Sequence, residues 1–291
     1  MWLPWNDAAV LTVLVAAVAW RARGWLRATA QELALVLGLY TLWRMAGALA
    51  LRKVHGAEDH ARSLWHLEQW LHLPSELTVQ RQVIHHPLLV QLLNGYYAIV
   101  HVPAMVAVLV WLFFRHRDRY AWVRNSLALL TGTCLLLHFI PMAPPRLVPE
   151  SGLVDTGLAY GQSVYGPGGA HGLSNQLAAI PSVHVGWALL VALAAITVSR
   201  SRWRWLVLAH PVLTVWAIVA TGNHWWLDGV AAAALLPPVV WASVALVQLG
   251  DPLAPRRVAP VDLGVDERAG APPVGDRTAE LLPALGVDVD G

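Results

Sequence analysis

The sequence is poor in charge and contains almost no cysteine. Lys, Arg, Asp and Glu make up only 13% of the 291 residues, whereas 57% are hydrophobic. Soluble domains carry about 25% charged residues, so this chain has too little polar surface to cover a soluble core. We therefore exclude a soluble enzyme, a disordered chain and a fibrous protein, and we expect a polytopic membrane protein. The single cysteine, Cys134, excludes an intrachain disulfide and a cysteine-based metal site.

The sequence also lacks a dense basic patch with interleaved aromatic residues. The formal net charge of +2 averages a basic body over residues 251–291, in which eight acidic residues stand against four basic ones. We therefore expect no nucleic-acid partner. Residues 251–291 are rich in Pro and Gly and show no sustained period, which predicts a disordered cytoplasmic tail.

Long apolar runs fill the rest of the chain. A helix needs roughly 17–25 residues to cross the hydrocarbon of a bilayer. Segments of this kind predict a membrane domain over residues 1–250, an all-α polytopic bundle of about six or seven transmembrane helices. The segments are 2–20, 30–51, 87–114, 125–141, 183–198, 204–222 and 226–249, of which the third is interrupted by Pro103. The first lacks a basic leader and a small-residue cleavage site, so we expect a span and not a cleaved signal.

Arginines near the ends of these segments predict their orientation. Lys and Arg in short loops are retained in the cytoplasm, and three loops that alternate along the chain with 52–86, 142–182 and 222–225 are basic. The arginines of the three loops are Arg21, Arg23 and Arg27; Arg115, Arg117, Arg119 and Arg124; and Arg200, Arg202 and Arg204. The three basic loops and the tail are then inside, and the N-terminus is outside unless segment 2–20 fails to cross.

The stretch Pro181-Ser182-Val183-His184 joins an outer loop to the fifth segment. Pro181 suits the first turn of a helix, and Ser182 can cap that helix or bond an anion. Because the unpaired amides at a helix start attract phosphate, His184 would stand at the edge of an anion site. The same residues also fit an ordinary helix start with a histidine at the lipid interface.

A second cluster, Asn223-His224-Trp225-Trp226-Leu227-Asp228, lies between the sixth and seventh segments. In a helix, His224 and Asp228 would share a face because they are four residues apart. A carboxylate in this place holds the imidazole in one tautomer and stabilises the charge that it gains, as a nucleophilic or basic histidine requires. The alternative is an exposed interfacial pair beside tryptophan anchors.

Three more ionisable residues lie near the predicted outer face. Arg146 follows two prolines and offers a forked cation suited to phosphate, although it could instead bind lipid headgroups. Arg44 lies deep enough in the second segment that its side chain should face protein or a polar cavity. His138 has a similar depth in the fourth segment, where a histidine often bonds a neighbouring helix. The orientation derived from the basic loops places all three on the same side as His184 and His224.

These residues resemble the motifs of the type 2 phosphatidic acid phosphatase superfamily of integral membrane enzymes. The motifs are approximately Lys-x6-Arg-Pro, Pro-Ser-Gly-His and Ser-Arg-x5-His-x3-Asp, on one membrane face. Arg146 stands for the first motif, residues 181–184 for the second, and His224 with Asp228 for the third. The resemblance covers about residues 30–249.

The sequence departs from these motifs at several positions. The motif lysine falls at Phe139, Leu147 follows Arg146, Val183 replaces glycine, and the Ser-Arg pair falls at Ala217-Ile218. The pattern is most similar to the branch that includes inositol phosphorylceramide synthase, in which a phosphorylated headgroup passes between lipids. The missing cations therefore favour headgroup transfer or a phosphodiester substrate.

The resemblance implies a mechanism for a lipid phosphate or phospholipid at the extracytoplasmic face of the cell membrane. His224 would attack phosphorus to give a phosphohistidine, Asp228 would orient it, and His184 would protonate the leaving alkoxide. The scheme needs neither metal nor cofactor, and it leaves the oligomeric state open. Four residues would hold the phosphoryl oxygens: Arg146, Ser182, Arg44 and Asn223.

Two functions of other classes remain as alternatives. A non-enzymatic transporter or flippase for anionic lipids predicts ionisable residues through the whole membrane depth, and His101 and His210 do lie deeper than the rest. A structural membrane subunit predicts that substitution of His184 is tolerated.

Overall fold

The computed structural model describes residues 3–50, 56–164 and 176–250, and the regular structure in these ranges is helical, without a strand. The predicted all-α class is thereby confirmed, whereas the predicted disordered tail, 251–291, lies outside the described residues. The α-helices, in chain order, are α1 (Trp5–Arg21), α2 (Gly24–Ala50), α3 (Ala57–Trp70), α4 (Glu76–Val83), α5 (Pro87–Gly95), α6 (His101–Arg115), α7 (Arg117–Leu137), α8 (Thr156–Ala159), α9 (Val183–Val198), α10 (Ala209–Ala220) and α11 (Trp226–Gly250). A π-helical turn, Tyr96–Val100, joins α5 to α6, and 3₁₀ turns cover Pro145–Leu147, Pro149–Ser151 and Arg202–Leu208.

Three helical stretches of the described chain are long and apolar enough to cross a membrane. They are Pro87–Arg115, Arg202–Ala220 and Trp226–Leu249, and the apolar helix Val183–Val198 is shorter. Large apolar side chains cover their outward faces; Phe114 and Trp241, for example, are 73% and 76% exposed. Such surfaces suit contact with lipid, as expected for a membrane protein.

Two predicted segments differ from the helices in detail. The break expected at Pro103 falls earlier, at the π-helical turn Tyr96–Val100. Helix α7 begins at Arg117 and not at residue 125, because its first turn is polar and escapes a search for apolar runs. Boundaries set by local turns are therefore the least predictable part of the fold.

A buried ion pair joins α2 to α7. Arg124 donates to Glu32, whose other carboxylate oxygen accepts from the Tyr120 hydroxyl at 2.9 Å. The two charged side chains are only 9% and 8% exposed. The orientation argument counted Arg124 in the second basic loop, but Arg124 is a buried residue of α7. That loop retains Arg115, Arg117 and Arg119.

The segment between α7 and α8 connects distant parts of the chain through main-chain hydrogen bonds. The Met142 amide donates to the Leu177 carbonyl at 2.7 Å, and the Ala143 amide donates to the Ala57 carbonyl at 3.1 Å. The indole of the fully buried Trp225 donates to the Ala143 carbonyl at 2.9 Å. These bonds bring the C-terminal ends of α7 and α10 and the N-terminal ends of α9 and α11 to one end of the bundle.

Candidate active site

His224 lies in the turn between α10 and α11. The four-residue spacing predicted that His224 itself is helical, but α11 begins two residues later, at Trp226. The Asp228 side chain nevertheless turns back toward this histidine, and its Oδ2 accepts from His224 Nδ1 at 3.1 Å and from the Trp225 amide at 3.0 Å. The contact thus forms at a helix N-terminus, where a carboxylate also satisfies an unpaired amide.

The hydrogen bonds of His224 determine its tautomer. Nδ1 lies 2.9 Å from the Ala179 carbonyl oxygen as well as 3.1 Å from Asp228 Oδ2. A carbonyl oxygen and a carboxylate only accept hydrogen bonds, so Nδ1 carries the proton. In the neutral imidazole Nε2 is then unprotonated and has a lone pair for a nucleophilic attack. Both residues are buried, with Asp228 0% and His224 6% exposed.

His184 lies in the first turn of α9, beside His224. The Ser182 hydroxyl oxygen caps this helix by accepting from the Val185 amide at 3.4 Å, and the Ser182 amide donates to the Asp228 carbonyl at 3.0 Å. The imidazole centroids of His184 and His224 are 5.7 Å apart. The main-chain bond between Ser182 and Asp228 therefore holds the second and third motifs side by side.

Rings from the third predicted span pack against His184. The Tyr97 ring lies 4.4 Å and the His101 ring 4.8 Å from it, centroid to centroid. The Nδ1 atom of His184 is buried and has no hydrogen-bond partner within the described ranges. The two rings therefore enclose one side of the His184 imidazole.

Arg146 is held in place from both main chain and side chain. Its amide donates to the Gly222 carbonyl at 3.1 Å, in the turn that carries His224. Its guanidinium donates to Asp155 Oδ2 at 3.1 Å, to Asn223 Oδ1 at 2.7 Å and to Gln176 Oε1 at 3.1 Å. The guanidinium is thus oriented by three acceptors at one wall of a cleft.

The cleft beside Arg146 has a volume of about 20 Å³, which is the space of one water molecule. Tyr97 and Asn223 are among the residues that line it. Because Tyr97 also packs on His184, the cleft adjoins the pair of histidines. A phosphate group would need neighbouring side chains to move before it could enter.

The other predicted site residues, Asn223, His138 and Arg44, differ in their positions relative to Arg146 and the two histidines. Asn223 lies beside Arg146, and its Nδ2 donates to Thr221 Oγ1 at 2.7 Å. His138 Nε2 lies 3.3 Å from the Pro181 carbonyl, so His138 bonds a neighbouring segment, as the alternative interpretation predicted. Arg44 belongs to α2, but its side chain lies outside the described residues.

Two acidic residues near the site were not predicted from the sequence. Asp155 pairs with Arg146, and Glu68 of α3 accepts from the Leu227 amide at 2.8 Å, at the start of α11. Burial, together with the neighbouring Glu76 carboxyl, raises the pKa of Glu68 well above its usual range. The scarcity of charge could have drawn attention to Asp155, because loop 142–182 contains only two carboxylates.

No group of three or more His, Cys, Asp or Glu residues that could hold a metal ion is found among the residues that the structure describes.

Comparison of the sequence with known proteins identifies the family of this chain. Neither the curated proteins nor the solved structures included a match to this chain. The sequence model of the PAP2 superfamily matches residues 62–242, which is more than half of the chain and includes Arg146, His184, His224 and Asp228. Membership of this kind indicates a membrane enzyme of the phosphatase or phosphotransferase type. The chain belongs to the PAP2 superfamily.

Proposed function

We propose that this protein is an integral membrane lipid phosphatase or phosphotransferase that works through a phosphohistidine without a metal ion. The observation that carries the proposal is the tautomer of His224, whose Nδ1 donates to two acceptors and leaves Nε2 as a nucleophile. A second imidazole, His184, lies 5.7 Å away between ring centroids. At this distance the two rings are in edge-on contact, so a phosphoryl group would reach both imidazoles only after the side chains move apart.

In the first half of the reaction, His224 Nε2 attacks phosphorus. A nitrogen–phosphorus bond forms, the bond from phosphorus to the leaving alkoxide breaks, and His184 donates a proton to that alkoxide. Asp228 stabilises the positive charge that the imidazole acquires. Arg146, Ser182, Asn223 and Arg44 are the proposed ligands of the phosphoryl oxygens, where charge builds up in the transition state.

In the second half, an acceptor hydroxyl attacks the phosphohistidine. His184, now neutral, takes the proton of the acceptor, the nitrogen–phosphorus bond breaks, and both histidines return to their starting states. Water as the acceptor gives hydrolysis, and a second alcohol gives transfer. Transfer of a phosphorylated headgroup, as in the inositol phosphorylceramide synthase branch, is part of the proposal because two cationic motif positions are absent.

We place the site at the extracytoplasmic face of the cell membrane, in a domain with six or seven spans. The support is the arginine-rich loops at the opposite ends of the helices and the meeting of α7, α9, α10 and α11 at the site's end. The substrate is then a lipid phosphate or phospholipid in the outer leaflet.

A transporter or flippase for anionic lipids is the second candidate, and one observation favours it. A partly buried polar network lies deeper in the bundle, where the Tyr96 hydroxyl and His210 Nδ1 are 2.6 Å apart and His101 Nε2 lies 3.3 Å from Thr214 Oγ1. Ionisable groups at such depth often line a transport path. A transporter moves labelled lipid between leaflets without releasing phosphate, so the assay below separates the two functions.

The test is turnover of a short-chain lipid phosphate or phospholipid by the full chain in detergent with EDTA. We expect product release by the wild type, an acid-labile phosphoryl label on the protein, and no turnover by His224→Ala. His85→Ala is the matched control, because His85 is exposed in the turn between α4 and α5. Full activity of His224→Ala would overturn the mechanism.

A further inference from the structure

The carboxylate of Asp155 is fixed against Arg146, the arginine among the described residues of the cleft. Its Oδ2 accepts from Arg146 Nε at 3.1 Å, and its Oδ1 accepts from the Leu158 amide at 2.9 Å as the cap of α8. The Arg146 side chain is 2% exposed and that of Asp155 is 26% exposed. Two contacts on two oxygens therefore hold the negative charge at the wall of the cleft.

This pairing changes the charge that an entering anion meets. Arg146 and Asp155 are the charged residues among the described residues that line the cleft, and their charges cancel. Asp228 adds a negative charge beside His224. In the proposed mechanism His184 brings a proton, and the positive charge of its imidazolium balances Asp228. The described part of the site thus has no net positive charge, which is unusual for a site that receives phosphate.

The two classes of lipid phosphate differ in charge. A phosphomonoester carries about −1.5 to −2 charges near pH 7, whereas a phosphodiester carries a single one. A phosphate held by the Nη atoms of Arg146 lies within about one guanidinium width of Asp155. Repulsion by this carboxylate acts on every unit of charge, so it disfavours the monoester more. Because Asp155 is partly exposed, solvent screening reduces the effect to roughly tenfold in binding.

We propose that Asp155 determines specificity and makes the site prefer a phosphodiester, such as a phospholipid with an uncharged headgroup, over a phosphomonoester. This inference rests on the proposed function of the same site. In the proposed mechanism, the lipid alcohol of a phosphodiester leaves with the proton of His184. The phosphorylated headgroup then stays on His224 until an acceptor hydroxyl takes it. Asp155 takes no part in these steps, and it acts through the charge that it adds beside Arg146.

The experiment compares kcat/KM for short-chain phosphatidic acid, a monoester, with that for short-chain phosphatidylglycerol, a diester. Asp155→Asn is the informative variant, because asparagine also caps helices well and its oxygen can still accept from Arg146. Glu150→Gln is the matched control, since Glu150 is an exposed carboxylate of the same loop that pairs with Arg62. We expect the wild type to prefer the diester, and Asp155→Asn to shift the ratio about tenfold toward the monoester.

Several outcomes would overturn the inference. A wild type that prefers phosphatidic acid would do so, as would an unchanged ratio in Asp155→Asn or an equal shift in Glu150→Gln. Turnover of neither lipid would refute the proposed function itself, which is a different failure. If Asp155→Asn does not fold, inhibition of the wild type provides a second test. Dimethyl phosphate, a monoanion, should inhibit more strongly than methyl phosphate, which carries more charge. The reverse order would contradict the proposal.

Discussion

Replacement of Asp228 by asparagine tests how the site prepares the proposed nucleophile, His224. The proton on His224 Nδ1 is shared between Asp228 Oδ2 at 3.1 Å and the Ala179 carbonyl at 2.9 Å. In Asp228→Asn the amide oxygen can take the place of Oδ2, because the opposite orientation would set the amide hydrogens against Nδ1–H and the Trp225 amide. The Ala179 carbonyl still accepts from Nδ1, so we expect the tautomer to survive.

The expected loss therefore reflects charge stabilisation alone. A hydrogen bond to a charged group contributes about 1.5–3 kcal/mol, against about 0.5–1.5 kcal/mol for a neutral one. The difference, about 1–1.5 kcal/mol, corresponds to roughly a 5- to 13-fold drop in kcat. In the serine protease triad, where the equivalent change produces the wrong tautomer, the loss is about 10⁴-fold. Because the Ala179 carbonyl keeps the proton on Nδ1, the loss in this protein should be much smaller.

The assay measures kcat for the better lipid substrate, for the wild type, Asp228→Asn and His224→Ala in detergent. Asp118→Asn is the control, because Asp118 is an exposed carboxylate at the start of α7. Thermal unfolding should show that Asp228→Asn folds, at a small cost, since its new amide group replaces Oδ1, a buried atom without a partner among the described residues.

Two results would refute this reasoning. A loss of 10⁴-fold or more in a folded Asp228→Asn variant would mean that the Ala179 carbonyl does not maintain the tautomer. A loss of less than threefold would mean that the carboxylate does not stabilise charge on His224.

Three further predictions concern stability in detergent, measured by thermal unfolding. Gly222 has φ +68°, and an added Cβ would lie 3.1 Å from the Arg146 Cβ, so Gly222→Ala should cost about 1–2 kcal/mol and also lower kcat/KM. Glu32→Leu should cost about 3–5 kcal/mol because it leaves Arg124 buried without its carboxylate, and the double variant with Arg124→Met should recover most of the loss. Because the folded state keeps Glu68 protonated above its usual pKa, wild-type stability should fall as pH rises from 4.5 toward neutral, and Glu68→Gln should flatten this dependence.

Parts of the fold and the site could be predicted from the sequence where the signal is local. Helix α9 has the predicted bounds 183–198, because Pro181 and Ser182 mark its start and the polar residues after Val198 mark its end. The spacing of four between His224 and Asp228 brought them together even though the helix begins later than expected. Apolar runs and short motifs thus carried most of the successful predictions.

Other parts depend on contacts between distant segments. Glu68 meets Leu227 across 159 positions, and no periodicity in α3 indicates that its carboxyl caps α11. The pairing of Asp155 with Arg146 depends on how an irregular loop folds back on itself. Arg124 was counted in a short basic loop because charge alone does not reveal a buried partner on another helix. Such contacts arise from tertiary packing, which overrides local preference.

The main-chain bonds around the segment from Met142 to Arg146 have a consequence for the dynamics of the site. This segment contains no α-helix, and a 3₁₀ turn begins at Pro145. Three of its amides are nevertheless bonded to the carbonyls of Ala57, Leu177 and Gly222. An amide of this kind exchanges with solvent only when its partner segment also opens. We therefore expect the loop, the start of α9 and the turn before α11 to open together. The free energy of this opening would then set how often the buried His224 meets water in the absence of substrate.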